Sequence, residues 1–193
     1  MRRAERNYFI LKRILDVFFS LILLFLLALP MCLIALAVVI DSSGGAIFRQ
    51  TRVGREGREF VCYKFRTMYS TAPESCPKSR LLDAKRYVTP VGAFLRRTSL
   101  DELPQLFNVL IGDMSLVGPR PLVAEEGEIH SLRMRCGVYR LRPGITGLSQ
   151  ISGRDDLGDI EKVRLDTRYA RDMSLLSDTR IILGTLRHAA TGR

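Results

Sequence analysis

The 193-residue chain has two histidines and four cysteines. His130 and His188 lie far apart, and Cys32, Cys62, Cys76 and Cys136 form no CxxC pair. That excludes a zinc framework and a secreted disulfide scaffold, and a reducing compartment is the simplest reading. Any metal is expected on carboxylates and phosphates instead. The chain has no GxxxxGK(S/T) and no GxGxxG, so neither a P-loop nor a dinucleotide-binding turn is supported. No internal repeat is apparent. Charge is also missing from one long stretch: Val17 to Ile40 contains none.

Apolar residues and positive charge are plentiful. The chain is 47% hydrophobic with a formal net charge of +10. It suits one domain with an appended membrane element and is too apolar to be disordered. The basic balance points to anionic partners, whether nucleic acid, anionic lipid or phosphorylated substrate.

As a straight helix, the uncharged stretch would reach about 36 Å, enough for a bilayer core of about 30 Å. Hydropathy alone therefore reads it as a transmembrane span. Two features oppose that reading. Pro30 divides the run into halves of roughly 20 and 15 Å, and proline breaks or kinks a helix. Both flanks are basic: Arg2, Arg3, Arg6, Lys12 and Arg13 precede the run, and Arg49, Arg52, Arg55, Arg58, Lys64 and Arg66 follow it. A single span concentrates positive charge on one side. The pattern predicts a segment that enters, bends at Pro30 and leaves by the same face. A signal peptide, with Ala35-Leu36-Ala37 as its cleavage site, fits less well because the apolar stretch outruns a normal h-region. The expected division is residues 1–40 as anchor and 41–193 as a catalytic domain.

Ala46 to Val53 and Glu59 to Met68, separated by Gly54-Arg55-Glu56-Gly57, read as a β-hairpin with basic side chains on one face. Thr71 to Ser79 reads as a loop, and a short helical stretch is expected around Leu81 to Tyr87. Ser99 with Glu102 has the capping-box pattern, and Leu103, Leu106, Phe107, Leu110 and Ile111 follow helical spacing up to Gly112. Either Ser99 or Asp101 starts that helix, since Pro104 must lie in its first turn. Val117-Gly118-Pro119-Arg120-Pro121 is expected to be a rigid irregular turn. Arg140 to Arg154 reads as a loop whose glycines let the backbone approach something closely. Helices are expected over 160–169 and 175–186, the latter core-facing by default or lying on a membrane surface. The fold class is α+β, mostly helical with a small hairpin.

Asp101 and Glu102 are the candidate reactive pair. Acids at a helix start are ordinarily caps favoured by the helix dipole. The same setting keeps a carboxylate ionised, ready to hold Mg²⁺ or to attack phosphorus as an acyl phosphate forms. Arg96, Arg97, Arg120, Arg142 and Arg154 lie near turns or element ends, and guanidinium groups grip phosphate oxygens in pairs. Each alone is an ordinary surface charge; together, around an acidic helix start, they suggest a phosphate site.

The run Leu95-Arg96-Arg97-Thr98-Ser99-Leu100-Asp101-Glu102-Leu103-Pro104-Gln105-Leu106-Phe107-Asn108-Val109-Leu110 resembles the bacterial sugar transferase family, the monotopic phosphoglycosyl transferases. So do Gly112-Asp113-Met114-Ser115-Leu116-Val117-Gly118-Pro119-Arg120-Pro121 and Arg142-Pro143-Gly144-Ile145-Thr146-Gly147. Tyr63-Lys64-Phe65-Arg66-Thr67-Met68 and Lys12-Arg13-Ile14-Leu15-Asp16 look like it too. The resemblance implies a bacterial inner-membrane enzyme with its active site on the cytoplasmic face. Its partners would be a UDP-sugar donor, a polyprenyl phosphate acceptor and membrane lipids, not nucleic acid. Asp101 would be the nucleophile and Mg²⁺ contact, and Glu102 would assist. Lys64, Arg96 and Arg120 would bind phosphate, with Arg142 and Arg154 nearer the nucleotide. The family's membrane break maps to Pro30. An N-acetylated amino sugar is the favoured donor, with UDP-galactose or UDP-glucose as the alternative.

The chain departs from the pattern at Leu148, where many relatives have tryptophan, and at Leu29, where serine often precedes the proline. These 193 residues include no multi-span N-terminal domain like that of larger relatives, so the chain is expected to belong with the small forms. A reading of another class is a membrane-tethered nucleic-acid-binding protein that uses the basic hairpin. That reading leaves the acid pair without a role.

Overall fold

A computed structural model describes residues 3–72, 84–153 and 157–191. Two helices, α1 (Arg3–Leu26) and α2 (Ala28–Asp41), precede an antiparallel hairpin of β1 (Ile47–Val53) and β2 (Glu59–Phe65). The helices α3 (Pro90–Thr98) and α4 (Gln105–Ile111) follow, then β3 (Ser115–Val117) and α5 (Gly127–Arg135). The chain closes with β4 (Gly144–Thr146), α6 (Leu148–Ser152), α7 (Asp159–Arg171) and α8 (Leu175–Thr191). This is the α+β, mostly helical architecture expected.

α1 and α2 meet at 64°, and no single described helix is long and apolar enough to cross a membrane. The break falls at Leu27, three residues before the proline expected to mark it. The reason is that a proline ring clashes one turn upstream and its nitrogen has no hydrogen to give. The helix ends before that clash and restarts with Pro30 in the first turn of α2, where a missing N–H costs least. Leu27 N still donates to Leu23 O and Met31 N to Leu27 O, each at 2.8 Å. Pro30 itself has no N–H to give to Leu26 O one turn back. α2 buries little beyond Val38, and Phe25, Leu29 and Ile40 are more than two-thirds exposed.

Both ends of this bent pair are tied to one folded body. Arg13 donates to the carbonyls of Val109 (2.5 Å) and Leu110 (2.8 Å) at the end of α4, and Leu116 N donates to Asp16 Oδ1 at 3.1 Å. Lys12 pairs with Asp178 of α8 at 2.7 Å. At the far end, Arg66 Nη2 donates to Ser42 O at 2.7 Å, and Asp41 Oδ2 accepts from Val91 N at 3.1 Å.

The hairpin forms as the sequence suggests, but its basic residues do not share a face. Pairing of Arg52 with Phe60, Gln50 with Cys62 and Phe48 with Lys64 puts Arg52 and Lys64 on one side. Arg49, three residues from Arg52, falls on the other by strand alternation. The uniform basic platform that a nucleic-acid reading needs is therefore not built.

The stretches read as irregular around 117–121 and 140–154 contain regular structure. Ser115 pairs with Gly144 and Val117 with Thr146 in a two-stranded parallel sheet. A Cβ on Gly144 would lie 2.1 Å from Gly118 N, and one on Gly147 would lie 2.1 Å from Gly118 O. The glycines do permit close approach, and what they approach is the protein's own backbone. Behind this sheet Val117, Leu141, Tyr169, Ala170 and Ile181 form an apolar cluster. α8 turns Ile181 into that cluster, as a core-facing helix would, and leaves Leu183 and Leu186 exposed.

Candidate active site

Hairpin and α4 are bolted together by one buried amide. Asn108 is fully buried; its Nδ2 donates to Val61 O at 2.7 Å and its Oδ1 accepts from Tyr63 N at 3.0 Å. It satisfies the edge of β2 that β1 does not use. This brings Lys64, next on the cleft-facing side of β2, against the chain that leads into α4.

That chain does not start the way its capping-box pattern suggests. Ser99 ends α3 in the left-handed conformation (φ 59°) and its side chain makes no cap hydrogen bond. A single 3-10 turn, Leu100–Glu102, follows, and α4 begins only at Gln105. Glu102 cannot reach back as a capping partner, because Lys64 takes it: Lys64 Nζ lies 2.6 Å from Glu102 Oε1. Arg120 Nη1 lies 3.9 Å from the same oxygen.

Asp101 is also placed by burial more than by a helix dipole. Burial pushes its carboxyl above the ordinary aspartate range, while Lys64 and Arg96 pull it back and Glu102 adds to the rise. Arg96 is oriented by Nε donating to Thr67 Oγ1 at 2.8 Å. α3 lies close enough for this because Gly92 has no side chain: a Cβ there would sit 2.2 Å from Thr67 O.

Arg120 is held by its backbone. Gly144 N donates to Pro119 O and Gly118 N to Thr146 O, both at 2.9 Å. Val53 N donates to Leu122 O at 2.8 Å, and Arg133 Nη1 donates to Arg120 O at 2.7 Å. Arg133 in turn pairs with Asp166 at 2.6 Å, almost wholly buried, and Ser149 Oγ donates to Asp166 Oδ1 at 2.9 Å. None of Arg133, Asp166, Ser149 and Asn108 stands out in the sequence as a support. Their roles come from burial, which no local pattern reveals.

The resulting cleft is lined by Lys64, Glu102 and Arg120 together with Arg52, Cys62, Gln105 and Gln150. Sequence reading did not single out these last four. Arg52 and Cys62 betray themselves only by alternating with Lys64 on the hairpin register. Arg142 is not brought to this cleft. Its Nε donates to Gly112 O at 2.7 Å, and the side chain lines a separate cavity beside α1. Arg154 lies outside the described residues.

No cluster of three or more His, Cys, Asp or Glu side chains able to hold a metal occurs among the described residues. The donor set fits Mg²⁺ nonetheless, since this ion is commonly held by one or two carboxylates and completed by substrate phosphates and water. Of the two carboxylates, Glu102 carries the Lys64 and Arg120 contacts on Oε1, and Asp101 lies beside it in the same turn.

A model of the family described as bacterial sugar transferase matches residues 7–192. The chain belongs to the bacterial sugar transferase family. It is 41% identical over 190 residues to the exopolysaccharide production protein ExoY of Sinorhizobium fredii, covering 91% of this chain and 83% of that protein. It is 40% identical over 196 residues to the undecaprenyl-phosphate galactose phosphotransferase of Salmonella typhimurium, and spans 41% of it. Identity to the UDP-glucose:undecaprenyl-phosphate glucose-1-phosphate transferase of Escherichia coli is 41% over 187 residues, 39% of that protein. In this family member Leu148, the tryptophan replacement, packs against the cluster behind the sheet. It is not among the residues lining the cleft.

Proposed function

We propose that this sugar transferase moves a sugar 1-phosphate from a UDP-hexose to a polyprenyl phosphate, releasing UMP, through a phosphosugar carried on Asp101. The observation that carries the reading is the half-buried acid pair between Lys64, Arg96 and Arg120. A carboxylate raised by burial yet flanked by cations is poised to act as a nucleophile toward a dianionic diphosphate. One Asp101 oxygen attacks the β-phosphorus, the bond from that phosphorus to the bridging oxygen breaks, and UMP leaves with the electron pair. An oxygen of the polyprenyl phosphate then attacks the same phosphorus and releases the aspartate carboxylate. Lys64 and Arg120 hold Glu102 in place and offset phosphate charge, and Arg96 does the same beside Asp101. Mg²⁺, held by Asp101 and the substrate phosphates, would supply further charge neutralisation.

The names of two relatives above specify galactose and glucose. They support a hexose donor over the N-acetylated amino sugar favoured from the sequence.

The membrane reading is supported by the two tied ends of α1–α2. One body holds Arg13 and Asp16 at the entry and Asp41 and Arg66 at the exit, so both ends lie on the same side of any bilayer. A 64° bend allows this if each arm lies about 32° off the membrane plane, which puts the break roughly 10 Å deep. That is a re-entrant, monotopic anchor in the bacterial inner membrane with the cleft facing the cytoplasm. The exposed apolar side chains of α2 need such surroundings.

The test is UMP release from UDP-galactose, UDP-glucose and UDP-N-acetylglucosamine, with undecaprenyl phosphate, with and without Mg²⁺. The expected result is Mg²⁺-dependent release from a hexose donor and a protein mass increase of one hexose phosphate when acceptor is withheld. Asp101→Asn loses both. Release without any protein adduct would replace the two-step route by direct transfer.

A further inference from the structure

A second cavity lies on the side of the molecule where α1 meets β3 and the chain entering β4. Lys12, Arg13, Arg55, Arg140 and Arg142 line it, and Asp16 is the one carboxylate among its lining residues. Three of these cations have a carboxylate partner: Lys12 has Asp178 at 2.7 Å, Arg140 has Glu5 at 3.4 Å, and the exposed Arg55 has Glu56 at 3.5 Å. Asp16 is occupied by Leu116 N. Arg13 and Arg142 are different. They donate to the carbonyls of Val109, Leu110 and Gly112, and among the described residues neither has a carboxylate within ion-pair distance. Capping the end of α4 offsets part of their charge. Carbonyls carry no net charge, however, and Arg142 still feels Arg13 and Arg55: burial first, then those two guanidinium groups, pull its pKa down. Half-buried arginines facing one another across a cavity make a seat for an anion.

The position of the cavity selects the anion. Tyr8, Phe9, Lys12, Arg13 and Asp16 lie on α1 immediately before its charge-free run begins at Val17. Ile10, Leu11, Ile14 and Phe18 on the same stretch of helix are exposed. We propose that the cavity binds the head-group phosphate of an anionic phospholipid, gripped by Arg13, Arg55 and Arg142. The proposal rests on the reading of α1–α2 as a membrane anchor. The site is separate from the acid-pair cleft, so it is a lipid contact and not a substrate subsite.

The test uses the full chain in two bilayers, phosphatidylcholine alone and phosphatidylcholine with phosphatidylglycerol. Flotation with the neutral vesicles tests the anchor by itself. Thermal unfolding tests the site: phosphatidylglycerol is expected to raise the wild-type midpoint by about 3 °C or more. Arg55→Glu and Arg142→Gln are expected to lose that rise. Arg55 is exposed, so its variant keeps the fold even if Arg142→Gln does not. Arg180→Glu, exposed on α8, is expected to keep the rise. An equal loss with Arg180→Glu, or no rise in the wild type, overturns the proposal in favour of general surface charge. An equal rise from millimolar inorganic phosphate in neutral bilayers replaces the lipid by a soluble anion. Failure to float removes the anchor reading, and the lipid with it.

Discussion

The acid-pair cleft and the cavity beside α1 are built from the same material, half-buried lysine and arginine, and differ in what faces the charge. In the cleft, Lys64 and Arg120 converge on a carboxylate, Glu102, next to a second carboxylate in Asp101. In the cavity, Arg13 and Arg142 rest on helix-end carbonyls. A carboxylate can take up a proton or form a bond to phosphorus, and a carbonyl does neither. Two regions of similar charge therefore support different chemistry. One can react and titrate, while the other can only hold an anion.

Four substitutions sharpen this contrast. Asp101→Asn has the largest expected effect, a fall in turnover of about a thousandfold or more. Stability moves the opposite way. The folded Asp101 carboxyl is raised, so the fold favours its protonated form, and the cost of keeping it charged is present at neutral pH. It disappears as pH falls below the unfolded value of about 3.9. Thermal scans at neutral and acid pH are expected to show the asparagine variant as stable as wild type or more so at neutral pH, with the difference gone in acid.

Asn108→Ala strikes the seam that carries the cleft, because its side chain holds β2 against α4. Leaving Val61 O and Tyr63 N unpaired in the interior is expected to cost about 2–4 kcal/mol by denaturant unfolding. Lys64→Gln confines the damage to the cleft. Turnover is expected to fall about a hundredfold. Lys64 is also the largest influence pulling Asp101 down, so its loss raises that carboxyl further. On the proposed mechanism Asp101 must be ionised to attack, and the acid limb of the pH–rate profile therefore moves to higher pH; an unmoved limb would detach Lys64 from Asp101. Arg13→Gln confines the damage to the cavity. Its loss at the α4 terminus is expected to cost about 1 kcal/mol.

Much of this was legible in the chain. The hairpin showed in two β-rich runs around Gly54 and Gly57, and α7 and α8 in their periodicity. The acid pair showed in the run around Asp101. The break in the anchor showed in Pro30, displaced to Leu27 because a proline clashes upstream of itself. Where reading failed, it did so over contacts between distant segments. The parallel pairing of Ser115–Val117 with Gly144–Thr146 joins two glycine- and proline-rich stretches that look like loops. The capping box at Ser99 looked complete, and a lysine from a strand 38 residues away took its glutamate. Arg142 belonged to the same motif set as Arg120, yet it points to a different cavity.

The sequence by itself determined the elements, the position of the acid pair and the uncharged run of α1 and α2. Each depends on residues close together along the chain. Only the tertiary structure decided which cations meet which carboxylates, that both ends of the α1–α2 pair are held by one body, and that Arg13 and Arg142 meet the carbonyls at the end of α4. Those outcomes turn on burial and on partners a hundred residues apart, where the cost of an unpaired charge or amide, and not local propensity, selects the arrangement.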